Sequence, residues 1–71
     1  RRFDSRARPQ ADEAVALERC RAGPQSVETV ATAVGFDLAR SAMALARLER
    51  SGWVAEAGGW FEVVDEYADL A

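Results

Sequence analysis

The run Ser26-Val27-Glu28-Thr29-Val30-Ala31-Thr32-Ala33-Val34-Gly35-Phe36-Asp37-Leu38 ends one helix and begins another within a few residues. Ser26 is a natural N-cap, since its hydroxyl can accept a hydrogen bond from an otherwise unpaired amide of the first turn. Val27, Val30, Ala31 and Val34 fall at i, i+3, i+4 and i+7 and form one apolar face, while Glu28, Thr29 and Thr32 take the other. Gly35 stops this helix by supplying a left-handed residue that a β-branched side chain adopts only at a cost. Asp37 then stands ready to cap the next helix after a single intervening residue. A small residue at 31 where two helices cross, followed by glycine at 35 in the turn, is the spacing of a helix-turn-helix.

Downstream, a third helix is expected from Leu38 to about Ser51, closed by Gly52. Leu38, Ala42, Leu45 and Leu48 are expected to line its buried face, with Glu49 at the edge. Arg40, Ala44, Arg47 and Ser51 are expected on the opposite face, flanked by Met43 and Arg50. Ser41 falls near the apolar stripe and is expected to bond back to the carbonyl one turn earlier. After Gly52 the period changes from helical to alternating. Trp53–Ala57 and Trp60–Val64 bracket Gly58-Gly59, a two-residue type I′ hairpin turn. That turn pairs Ala57 with Trp60 and Val54 with Val63. Val54, Phe61 and Val63 then share the face that must lie on the helices, and Trp53, Trp60 and Val64 share the face turned away.

Upstream, Ala11–Ala22 reads as a first helix, with Asp12 and Glu13 at the front and Arg19 and Arg21 at the back, as the helix dipole favours. Ala16, Leu17 and Cys20 form its buried stripe, and Gly23-Pro24 stops it. Cys20 is read as a small core residue. Residues 1–10 carry Arg1, Arg2, Arg6 and Arg8 against Asp4, without apolar periodicity, and read as a basic arm or interdomain linker. Residues 11–64 form the domain, and residues 65–71 form an acidic tail. The expected class is therefore a small α+β fold, a winged helix-turn-helix of three helices followed by a two-stranded β-hairpin wing.

Composition closes off several functions. The 71 residues make one small domain. A single cysteine forbids an internal disulfide, and the absence of histidine excludes a Cys/His zinc site and the commonest general base. No glycine-rich phosphate loop or nucleophile–base set is present. No catalytic residue, metal or cofactor is expected, and no small-molecule substrate. No apolar run reaches the roughly 20 residues of a membrane span, and no signal-peptide pattern occurs, so no membrane partner and a cytoplasmic location are expected. The chain opens on Arg1, as a piece of something longer would. Lysine, isoleucine and asparagine are all missing, a skew toward GC-rich codons that points to a bacterial source.

The stretch from Gln25 to Val64 resembles the C-terminal winged-helix domain of the DNA-processing protein A (DprA/Smf) family. The likeness is carried by Ala31-x-x-x-Gly35, by Leu45-x-x-Leu48-Glu49-x-x-Gly52-Trp53-Val54 and by Gly58-Gly59-Trp60-Phe61. It covers somewhat over half of the chain, which departs from the family pattern at Ser41, Arg47, Arg50 and Trp53. The resemblance implies a bacterial parent in DNA recombination and natural transformation. Such a parent binds single-stranded DNA through another domain and hands it to the RecA recombinase, with this piece as an appended module.

Two partner classes stay open. In a DNA-binding winged helix the third helix enters the major groove, which makes Arg40, Arg47, Arg50 and Ser51 candidate contacts, with Ala44 between them leaving room for close approach. Against strong DNA binding, the net charge is −3, and no lysine or arginine occurs between Trp53 and Ala71. DNA contact is therefore expected to be weak. Trp60, Trp53 and Val64, if exposed on the wing, mark a protein contact or self-association instead. The alternative to an accessory module is the DNA-binding domain of a bacterial transcription regulator.

Overall fold

The structure, a computed structural model, describes residues 6–64. The acidic tail and Arg1 and Arg2 of the arm lie outside those residues. Helix α1, Ala11–Cys20, begins where Glu13 Oε1 accepts a hydrogen bond from the Gln10 amide at 3.2 Å. It buries Ala16, Leu17 and Cys20, as the spacing predicts. It ends two residues before Ala22. The Ala22 and Gly23 amides bond three residues back to Arg19 and Cys20 at 3.1 and 3.0 Å, tightening the last turn. Pro24 disfavours helical geometry in the residue before it, and Gly23 turns away with φ +142°.

Helix α2, Val27–Val34, carries the expected cap, with Ser26 Oγ accepting from the Thr29 amide at 3.1 Å and Thr29 Oγ1 accepting from the Ser26 amide at 2.8 Å. Val30 and Ala31 are buried, and Val27 and Val34 pack at the rim of the core. Gly35 adopts φ +79° and ψ +21°. Two residues on, Asp37 Oδ1 accepts the Arg40 amide at 2.7 Å and opens α3, Leu38–Arg50. This helix closes in a Schellman motif. The Trp53 amide reaches the Leu48 carbonyl at 2.8 Å, and the Gly52 amide reaches Glu49 at 3.1 Å.

The buried face of α3 differs from the expected one. Ser41, Ala44, Leu45 and Leu48 are buried, whereas Leu38 is 55% exposed and Ala42 is exposed. The true stripe is 41/44/45/48, itself an i, i+3, i+4, i+7 set. Short side chains at Ser41 and Ala44 let neighbouring backbones approach α3, a packing preference that side-chain hydrophobicity does not reveal. Ser41 does not bond back to the preceding turn; its buried Oγ has no hydrogen-bond partner. A buried hydroxyl without a partner carries its desolvation cost uncompensated. Ser41→Ala is therefore expected to stabilise the domain by about 1 kcal/mol, raising Tm by roughly 4–8 °C in a thermal melt. A fall in Tm would show that the hydroxyl has a partner in solution.

Strands β1, Val54–Ala57, and β2, Trp60–Val63, pair antiparallel in the expected register, Val54 with Val63 and Ala57 with Trp60. Gly58 and Gly59 take φ +59° and +88°, the signs that a type I′ turn requires. Glu56 Oε2 accepts the Gly59 amide at 2.7 Å and pins the turn. Val54 and Phe61 enter the core, with Val63 at its rim. One connection was not foreseen: Gln25, between α1 and α2, exchanges two main-chain bonds with Phe61, at 3.0 and 2.7 Å. This one-residue bridge ties the wing to the body. Three helices followed by a β-hairpin make a small α+β fold of the winged-helix type. Among the described residues no helix is long and apolar enough to cross a membrane.

Candidate functional site

The functional candidates lie on α3, on the wing and on the segment leading into α1. With 41/44/45/48 buried, the arc facing straight outward holds Ala39, Met43, Ala46 and Arg50, with Ala42 on one side of it and Arg47 on the other. Arg40 and Arg47 fall on the flank of the helix and meet the first turn of α1. Arg40 Nε lies 2.7 Å from Asp12 Oδ2, and its Nη2 lies 2.9 Å from Asp12 Oδ1, a bidentate fork. The same guanidinium sits 3.8 Å from the centroid of the Phe36 ring. Arg47 Nη1 is 3.8 Å from Glu13 Oε2.

The hydrogen bonds from Arg40 hold the Asp12 carboxyl below the usual carboxylate range, and Asp12 in turn pushes Arg40 upward. A depressed carboxylate keeps its pair above its unfolded pKa and loses it only as pH falls through the folded value. The Arg40–Asp12 contact is thus fully formed at neutral pH. Both groups are exposed, so it orients side chains more than it stabilises the fold.

The expected DNA-facing set is divided by this geometry. Ala44 does not lie on an open face: at 2% exposure it is core, because it belongs to the true buried stripe. Ser51 is the half-buried C-cap of α3, its amide bonded to the Arg47 carbonyl at 3.0 Å. Arg40 and Arg47 are turned onto carboxylates. Arg50 is exposed and forms no ion pair among the described residues.

The tryptophans also part company. Trp60 is 49% exposed and Val64 is 38% exposed, as expected for the outer hairpin face. Trp53 is half-buried rather than on the face turned away, because it packs against the rim of the core and the arm covers it. Its indole Nε1 donates to the Ala7 carbonyl at 2.6 Å, and the Arg6 guanidinium lies 3.7 Å from its ring centroid. Arg6 also donates to the Gly52 carbonyl at 2.7 Å. The last part of the arm is therefore docked on the root of the wing.

Sequence reasoning placed Leu38 in the core, whereas it is 55% exposed; Met43, also 55% exposed, lies on the solvent side as expected. The signal was present in the run 41/44/45/48, but it required accepting a serine as buried. The thiol of Cys20 is buried in the core, which pushes its pKa up and leaves little reactive thiolate. Among the described residues no group of three or more potential ligands is placed to hold a metal. An open groove between α1 and α2 is lined by Arg19, Glu28, Thr29, Thr32 and Ala33, all exposed, with no buried polar group aimed into it. Comparisons with family models, curated proteins and solved structures returned no match to this chain.

Proposed function

We propose that this domain is an accessory winged-helix module of a bacterial DNA-processing or recombination-mediator protein, and that it works by docking on a protein partner. The outward face of α3 receives an amphipathic helix of that partner. One observation carries the reading: where a DNA-reading helix would present cations, α3 presents Ala39, Ala42, Met43 and Ala46, with exposed Leu38 on the flank opposite Arg40 and Arg47, which face α1. The three alanines leave a flat strip along which a second helix can approach closely, and Leu38 and Met43 supply apolar anchors. Arg50 at one end selects a carboxylate on the incoming helix.

The wing favours the same reading. It carries Glu56 and Glu62 and no cation, and its outer face offers Trp60 and Val64. From Pro24 to Val64 three arginines face five acids, a balance of −2 that disfavours wrapping on duplex phosphates. A transcription regulator would need outward cations along α3, and Arg50 alone meets that need.

The test is a ¹⁵N chemical-shift titration. An amphipathic helical peptide with one apolar stripe and flanking glutamates is expected to shift the amides of Leu38, Ala42, Met43 and Ala46. Met43→Glu is expected to weaken that binding by about tenfold or more, the scale of losing a central anchor. A short duplex DNA at low salt is expected to leave those amides in place. Shifts on the outward face with duplex and none with peptide would overturn the reading.

A further inference from the structure

The N-terminal run Arg6–Glu13 makes contacts that have no part in the docking face. Arg6 stacks on Trp53 and Ala7 accepts its indole N–H. Asp12 holds Arg40 through two hydrogen bonds, and Glu13 approaches Arg47. One continuous stretch thus occupies an aromatic ring and two arginines. We propose that this stretch is a releasable strap over a latent site for single-stranded nucleic acid, formed by Trp53, Arg40 and Arg47.

The chemistry of the occupied groups matches that ligand. A cation stacked on an indole face fills the place that a nucleobase takes on a stacking platform. A guanidinium that grips a carboxylate with two hydrogen bonds presents the same fork to a phosphodiester. A single strand supplies a base for the ring and phosphates for the arginines together, whereas the bases of an intact duplex are not free to stack on Trp53. The strap is also built to come off. The Arg40–Asp12 pair is exposed, and exposed ion pairs contribute little to stability, while the Arg47–Glu13 contact, with Glu13 largely covered, is long at 3.8 Å. Only Ala16, Leu17 and Cys20 anchor α1 in the core, so its first turn is held by no buried side chain. Asp12 can release Arg40 by side-chain rotation alone, whereas Glu13 also holds the Gln10 amide and its contact with Arg47 opens by movement of the arginine. This face is distinct from the outward arc of α3, and the proposal does not depend on the docking reading.

The test uses the full chain and a fluorescein-labelled oligo-dT at low salt, read by anisotropy. Asp12→Asn with Glu13→Gln is expected to tighten binding by about tenfold, with a salt dependence steeper by about two phosphate contacts. Because that variant also loses two negative charges, Glu18→Gln with Glu28→Gln is the control. It makes the same charge change at residues that touch neither Trp53 nor the α3 arginines, and is expected to change binding by less than about threefold. In a Trp60→Phe background, the oligonucleotide is expected to quench Trp53 emission. Equal tightening by the two double variants, or saturation without quenching of Trp53, overturns the proposal. Should Asp12→Asn with Glu13→Gln fail to fold, Arg6→Ala leaves α1 intact. Trp53 is then expected to be quenched at lower oligonucleotide concentration than in the parent, and an unchanged or higher concentration overturns the proposal.

Discussion

Leu45→Ala is expected to lower stability by about 2–5 kcal/mol and Tm by roughly 10–30 °C. Leu45 is completely buried and belongs to one cluster with residues of α1, α2, α3 and the wing, including Leu17, Val30, Leu48, Val54 and Phe61. Truncating it removes apolar contacts shared by every layer, and the neighbours cannot collapse into the gap without separating from one another. A domain of this size has on the order of 4–10 kcal/mol in total, at 0.05–0.15 kcal/mol per residue, so much of the margin disappears. The companion variant gives the measurement its force. Leu38→Ala removes the same side chain from the same helix at a position 55% exposed, and its expected cost is within about 0.5 kcal/mol. Urea unfolding of both, followed by circular dichroism, reads the rotation of α3 directly. Comparable losses at the two positions would mean that Leu38 shares the core and that the buried face is the one hydrophobicity alone would choose.

That rotation is where the sequence was hardest to read. The caps at Ser26 and Asp37, the left-handed Gly35 and the Gly58-Gly59 turn are local signals, each legible because the chemistry lies within a few residues. The hairpin register follows from its turn for the same reason. The phase of α3 is different, because Ser41 and Ala44 are buried for being small, and small residues give no apolar signal. Choosing Leu38 and Ala42 instead turns the helix by about 50°, at about 100° per residue. The error matters for function, since it moves Arg40 and Arg47 from the flank to the outward arc and puts Ala44 in solvent.

The other unseen contacts are non-local. Arg40 and Asp12 are 28 residues apart, and Trp53 and Ala7 are 46 apart. No periodicity within the arm marks it as a docking segment, and Asp12 and Glu13 read simply as residues suited to a helix start. The Gln25–Phe61 bridge is a single residue long, too short for any alternation to announce it. The local grammar of the chain therefore yields the fold. The site depends on which flank of α3 meets which turn of α1, a property of packing.

Phe61→Ala carries the second large expected effect, about 3–5 kcal/mol. Phe61 is 9% exposed and does two jobs at once. Its ring lies in the common core with Leu45, Leu48 and Val54, and its main chain exchanges two bonds with Gln25. A two-stranded ribbon is marginal alone, so the wing persists only because it is fastened to the helices. Without the ring, both the fastening and the cover over Leu45 weaken together. Trp60→Ala, one residue earlier on the opposite face of β2 and half-exposed, is expected to cost less than about 1 kcal/mol. Amide hydrogen exchange separates the two ways in which Phe61→Ala could act. If the wing completes the core, the amides of β1, β2, α2 and α3 lose protection together, at the global unfolding free energy. If protection falls in 54–63 while α2 and α3 stay closed, the helices would be self-sufficient, and the wing would be an appendage rather than the third wall of the core.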